Sequence, residues 1–214
     1  MTEARAAATL YGGVALLERA VGYTLGQLQA VSTAALARAT PCSEWGLREL
    51  LVHMDDSLAT MQEALSLRSV DPEPLAGDLS VAGGTAAGGT AERLVAGLRA
   101  RGCQILGALT GGDDNLVWVG GLPVPMRIVT SAGAIDVAVH GWDVGRACGT
   151  GGAMPGELAE DMLSIAPLLV TSADRPGRFA SPIPVPAEAN ACDRLVAFLG
   201  RDPQWHRHHP TGSY

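Results

Sequence analysis

Apolar residues recur at helical spacing along most of this chain, and clusters of turn-forming residues cut the pattern into segments. The first predicted helix covers roughly residues 7–37 and ends ahead of "TPCSEW". Gly12, Gly13, Gly22 and Gly26 weaken it, since each costs about 1 kcal/mol against alanine in a helix interior. A second helix is predicted from about Ser43, an N-cap two residues past Pro41, to about Leu67. The Pro- and Gly-rich loop "RSVDPEPLAGDLSVAGGTAAGG" follows, and then a third helix over roughly Thr90–Thr110. "LVWVGGLPVPM" alternates apolar and small residues around Gly120-Gly121 and reads as a small hairpin. A fourth helix runs from about Arg127 to Cys148 and stops at "GTGG".

Beyond residue 150 the pattern changes. "PGELAEDMLSIAPLLV" is a helix with Pro at its start, broken near Pro167. "RFASPIPVP" is extended, because its alternating prolines forbid a helix, and "EANACDRLVAFLG" is a final amphipathic helix stopped by Gly200. The expected architecture is all-α. A four-helix bundle over residues 1–150 has its hairpin ahead of helix four. An extension over 151–205 packs on the bundle, and a flexible His-rich tail covers 206–214. No internal repeat is evident.

Composition narrows the class. Hydrophobic residues make up 47% of the chain and charged ones 17%, which describes a globular protein and not a disordered one. The net charge of −7 argues against nucleic acid or an anionic membrane as partner. Lysine is absent and arginine supplies every fixed cation, which excludes Schiff-base chemistry through lysine. The four cysteines, Cys42, Cys103, Cys148 and Cys192, form no CxxC pair and read as buried small residues of a reducing compartment. With no signal peptide and no apolar run long enough to span a bilayer, a cytoplasmic location is expected. "GGTAAGG" lacks the strand–loop–helix setting of a phosphate cradle, and no G-x-S-x-G elbow is present.

The candidate chemistry lies in helix four. At roughly 100° per residue, Asp136, His140 and Asp143 share one edge of an otherwise apolar helix. An unpaired buried carboxylate costs several kcal/mol, so Asp136 must be paired, neutralised or bound to a cation. Three of the five histidines, His206, His208 and His209, crowd the C-terminal end and read as tail, leaving His53 and His140 in the folded body. His53 falls at the margin of the Leu50/Met54/Met61/Leu65 stripe, beside Ser57 and Gly46, as suits a group facing a cleft between helices. Two readings stay open. His53, Asp136 and His140 form a three-ligand set for a divalent metal, or Asp136 and His140 form a buried hydrogen bond with His53 at the surface. Asp143 either supports the ligand shell or pairs with Arg146 at i+3, and Trp142 reads as core.

"TPCSEWGLRELLVH", "DVAVHGWDVGRACG" and "PVPAEANACDRLVAFLGRDPQW" resemble the actinobacterial metal-binding branch of the DinB/YfiT-like superfamily, related to mycothiol-dependent maleylpyruvate isomerase. The resemblance spans nearly the whole chain. It implies a DinB-like four-helix bundle in which a histidine of helix two joins an acid and a histidine, four apart, from a later helix. Position by position these are His53, Asp136 and His140. In the mycothiol-using isomerase the acid is a glutamate, so the shorter aspartate draws the metal toward helix four. Gly46 stands where the branch usually has aspartate, and "MDDS" replaces a common small glycine pair after the histidine.

The resemblance further implies a divalent-metal enzyme acting on a small-molecule substrate, with zinc the first choice and nickel or iron next. Mycothiol or another low-molecular-weight thiol would be the cofactor, in thiol-dependent transfer or isomerisation. Asp55 and Asp56 could add a ligand, act as a base or be solvated, with solvated the first reading; in an enzyme Asp56 or Asp143 would orient or deprotonate. A hydrolase using metal-bound water and a non-catalytic metal- or small-molecule-binding bundle are the alternatives. The oligomer is expected to be a monomer or homodimer.

Overall fold

A computed structural model describes residues 3–43, 45–70, 90–109, 115–173, 175 and 179–206. Seven helices appear among them: α1 (Glu3–Tyr11), α2 (Gly13–Gln27), α3 (Leu47–Leu67), α4 (Ala91–Ala108), α5 (Met126–Cys148), α6 (Gly156–Leu169) and α7 (Ala191–Phe198). Three short strands, β1 (Ser69–Val70), β2 (Leu116–Val119) and β3 (Leu122–Pro125), form one sheet in that order. β1 pairs parallel to β2, and β2 with β3 makes the antiparallel hairpin expected around Gly120-Gly121.

The single long first helix is corrected. The chain bends at Gly12, so that α1 packs on α6 while α2 packs on α5, and regular helix stops at Gln27. Two short 3-10 helices, Leu28–Ala30 and Thr33–Ala35, follow. The second predicted helix also starts later, at Leu47, because the residues ahead of it are held as a loop. Thr40 Oγ1 donates to the carbonyls of Cys42 (2.9 Å) and Trp45 (2.7 Å), and Ala39 bridges to Gly46. The helix predicted to break near Pro167 carries on to Leu169, since Pro167 faces outward and removes a single N–H from the last turn.

α2, α3, α4 and α5 form the bundle, each touching two others. Contacts along α2 and α5 advance together, from Gly13 against Arg127 and Thr130 to Thr24 against Gly141 and Gln27 against Gly145, so these helices run parallel. The seam is built on glycine: a Cβ on Gly13 would lie 2.6 Å from both Arg127 O and Thr130 Oγ1, and one on Gly141 would collide with Thr24. α5 ends at Gly149, whose φ of 77° is a left-handed turn that glycine adopts without strain.

One hydrophobic core runs through bundle and C-terminal helices alike. Leu17, Leu50, Leu98 and Ala138 share it with Leu158, Met162 and Leu195. The hairpin covers a smaller cluster of Ala64, Val117 and Met126. Among the described residues no helix is long and apolar enough to cross a membrane. The loop containing "GGTAAGG" and the tail from residue 207 lie outside the described residues, and His206 is exposed.

Candidate metal centre

α3 carries His53 one turn and a half past its start. Leu50, Met54, Leu58 and Met61 commit one stripe of this helix to the core and leave His53 half-buried at its margin. Trp45, on the loop pinned by Thr40, stacks on the His53 ring with centroids 4.2 Å apart. Ser57, one turn further along α3, puts its hydroxyl 3.4 Å from His53 Nε2 and helps to lower the pKa of the Asp136 carboxyl.

α5 supplies Asp136, His140 and Asp143 from one edge. This helix is buried around almost its whole circumference; His140 is 4% exposed and Asp143 fully buried. His140 Nε2 lies 3.5 Å from Asp136 Oδ1, while His140 Nδ1 lies 3.2 Å from Asp143 Oδ2. An ionised carboxylate only accepts, so Nδ1 carries the proton toward Asp143 and Nε2 faces Asp136. Arg201, beyond α7, donates from Nη2 to the same Asp143 Oδ2 at 3.2 Å and from Nη1 to the Leu199 carbonyl at 2.9 Å. Among the described residues, Asp143 Oδ1 and Arg201 Nε are buried and meet no hydrogen-bond partner.

The two helices bring their histidines together. The His53 and His140 rings meet edge to face, with centroids 5.1 Å apart and planes at 84°. One donor atom from each of His53, Asp136 and His140 falls within a group whose members lie at most 4.8 Å apart. Tetrahedral zinc with bonds of about 2.0–2.1 Å separates its ligands by about 3.4 Å, close to the 3.5 Å between His140 Nε2 and Asp136 Oδ1. Two imidazoles and one carboxylate are also the donor chemistry such an ion takes, so the residues present fit a divalent metal. Asp136 is half-buried and keeps 34% of its side-chain surface open, which leaves its carboxylate reachable from outside.

Electrostatics separate the two histidines. Burial pushes the His53 imidazole below the usual histidine range, more strongly than the nearby Asp136 charge raises it, so the ring is neutral near pH 7. Burial acts on His140 in the same direction but is outweighed by the charge and hydrogen bond of Asp136 and by Asp143, leaving its pKa raised. Burial would raise Asp136, but His140, His53 and Ser57 together hold its carboxyl below the usual range. Without metal, Asp136 and His140 therefore form an ion pair.

Other residues singled out from the sequence fall elsewhere. Asp56 is exposed on α3 and is not among the three clustered donors. Asp55 is corrected from a solvated side chain to a cross-link, accepting from Arg101 Nε on α4 at 2.7 Å. Arg146 does not pair with Asp143; its Nη2 donates to the carbonyls of Pro203 (2.7 Å) and Trp205 (2.8 Å) while its guanidinium lies over Trp142. Trp142 is core, at 3% exposed. Among the described residues no disulfide joins the four cysteines, and against the expectation that all are buried only Cys192 is; Cys42 and Cys148 are half-buried and Cys103 is exposed on α4. A separate cavity of about 240 Å³, lined by Trp142, Arg146, Met154 and Cys192 among others, contains none of the three donors. Arg201 is the site residue that sequence reasoning missed. It lies 58 positions from its partner, and no spacing rule links the two.

A bundle whose helices bring His53, Asp136 and His140 together defines a mainly-α, DinB-like protein with a possible metal site. Residues 17–145 match the family model described as the mycothiol maleylpyruvate isomerase N-terminal domain, and the chain belongs to that family. The matched span contains His53, Asp136 and His140 and ends before Arg201. Two uncharacterized proteins of Mycobacterium tuberculosis, from strains CDC 1551 and H37Rv, are each 31% identical over 166 residues, covering 76% of this chain and 82% of theirs. No solved structure matches.

Proposed function

We propose that His53, Asp136 and His140 bind a divalent cation, zinc first, and that the protein is a thiol-dependent transferase or isomerase acting on a small metabolite. The observation that carries this reading is the three-donor cluster itself, drawn from two helices and left open on one side. Structural zinc is usually closed by four protein ligands, whereas three with an open position is the catalytic arrangement. When bound, such a metal lowers the pKa of a coordinated thiol or water toward neutrality. Membership of the mycothiol maleylpyruvate isomerase family supports a thiol, with mycothiol the first to test.

The chain's own residues divide the remaining work. Asp143 sits on the Nδ1 side of His140, away from Asp136, and orients the ring. Ser57 meets His53 Nε2 and helps to keep Asp136 ionised, and Trp45 covers one face of His53 against water. Asp56, three residues past His53 and exposed, is the proposed acceptor for a proton leaving the site, on the ground that its charge acts on the His53 ring.

Elemental analysis of freshly purified protein tests the metal, with stoichiometric occupancy expected and lost in His53→Ala and His140→Ala while helical content is largely kept. Undiminished occupancy in those variants would overturn the ligand assignment. A turnover screen with and without mycothiol then separates thiol chemistry from hydrolysis, which would proceed without it.

A further inference from the structure

Asp143 is fully buried, and a buried carboxylate needs both a counter-charge and donors. Its Oδ2 meets two: His140 Nδ1 and Arg201 Nη2, each at 3.2 Å. Arg201 belongs to neither helix of the donor cluster and lies outside the family-matched span. Its position is set by the end of α7. Leu195, Val196 and Leu199 anchor that helix in the core, and Gly200, with φ of 83° and its Cα against Ala180, turns the chain. The Arg201 N–H then donates to Val196 O at 2.8 Å, and Nη1 is fixed on Leu199 O. The guanidinium, 5% exposed, is thereby aimed at α5.

We infer that Arg201 is a positioning residue of the metal centre: by holding Asp143 Oδ2 it fixes the His140 ring so that Nε2 points at the donor cluster. The inference rests on the proposed metal reading and adds that the centre is incomplete without the C-terminal extension. The reason is geometric. A single carboxylate oxygen receives both the ring N–H and the guanidinium N–H, so a displacement of that oxygen re-aims the imidazole. Partners of this kind are typically worth about 10–100-fold in metal affinity.

The test is the zinc Kd, measured on the full chain by competition with a chromophoric chelator, with far-UV circular dichroism confirming the fold. Arg201→Met and Asp143→Ala are each expected to bind zinc about 10–100-fold more weakly, and Arg201→Lys, which keeps the charge but loses the planar fork, less so. In the Asp143→Ala background, Arg201→Met is expected to cost nothing further, because Arg201 acts through Asp143. A merely structural role would lower the thermal midpoint without that pattern in Kd. If Arg201→Met alone does not fold, the comparison of Asp143→Ala with the double variant decides, since the double variant buries no lone charge. Further weakening there overturns the inference. So does an Arg201→Met Kd within about threefold of the parent while His53→Ala abolishes binding. Zinc retained by His53→Ala would instead overturn the metal reading itself.

Discussion

His140 Nδ1 lies 3.2 Å from Asp143 Oδ2, on the ring edge opposite the one that meets Asp136 at 3.5 Å. A single helix thus supplies His140 and the two acids that flank its ring, at positions i, i−4 and i+3. Such spacing works because all three fall on one edge of α5 while the rest of its surface is buried.

Zinc binding near pH 7 is expected to release about one proton per site. His140 enters protonated because of its two carboxylates, whereas burial keeps His53 neutral. Calorimetric titrations in buffers of differing ionisation enthalpy measure this number directly. A value near zero or near two contradicts the assignment of charge.

The metal-free protein is expected to lose stability on the alkaline side. His140 has a raised folded pKa, so its contribution is complete below the unfolded value of about 6.5 and disappears as pH rises through about 9. Asp136 is lowered, so its contribution is complete above the usual carboxylate range and is lost only as pH falls. Thermal midpoints of the chelator-treated protein should decline from about pH 6.5 to pH 9, and His140→Gln should flatten that slope. An unchanged slope in the variant assigns the decline to another group.

Two glycine-to-alanine substitutions should have opposite signs. Gly141→Ala places a methyl into Thr24 and forces α2 off α5, at a net cost of about 1–3 kcal/mol despite the better helix former. Gly22→Ala, on an exposed face of α2 with nothing within 4 Å, should stabilise by about 0.5–1 kcal/mol. Urea unfolding reads both, and a stabilising Gly141→Ala would contradict the tight seam.

Neighbouring acids on α3 should behave differently. Asp55→Ala breaks the ion pair with Arg101, both partners being about one-third exposed, and should cost at most about 1 kcal/mol with zinc content unchanged. Asp56→Asn should also keep its zinc, since Asp56 is not among the clustered donors, while slowing thiol-dependent turnover. Loss of metal in either variant would enlarge the ligand set.

Much of the bundle was legible in the pattern of apolar residues. The fourth helix was placed to within a residue at its start, because Pro125 and Gly149 bracket it with local chemistry. The first was not, since Gly12 and Gly13 only weaken a helix in isolation. It is the packing of α1 on α6 and α2 on α5 that turns weakness into a bend. Ser43 had the right side chain for a cap, yet Thr40 holds the following loop in another shape and delays α3 to Leu47.

By itself the sequence determined the helical class, the shared edge of Asp136, His140 and Asp143, and the margin position of His53, because periodicity within a helix is a local property. Tertiary structure alone decided that the His53 ring comes within 5.1 Å of His140, that Asp55 spans to α4, and that Asp143 takes Arg201 in place of Arg146. Those pairings join separate elements, and their distances follow from how buried faces pack, which no spacing along a single element encodes.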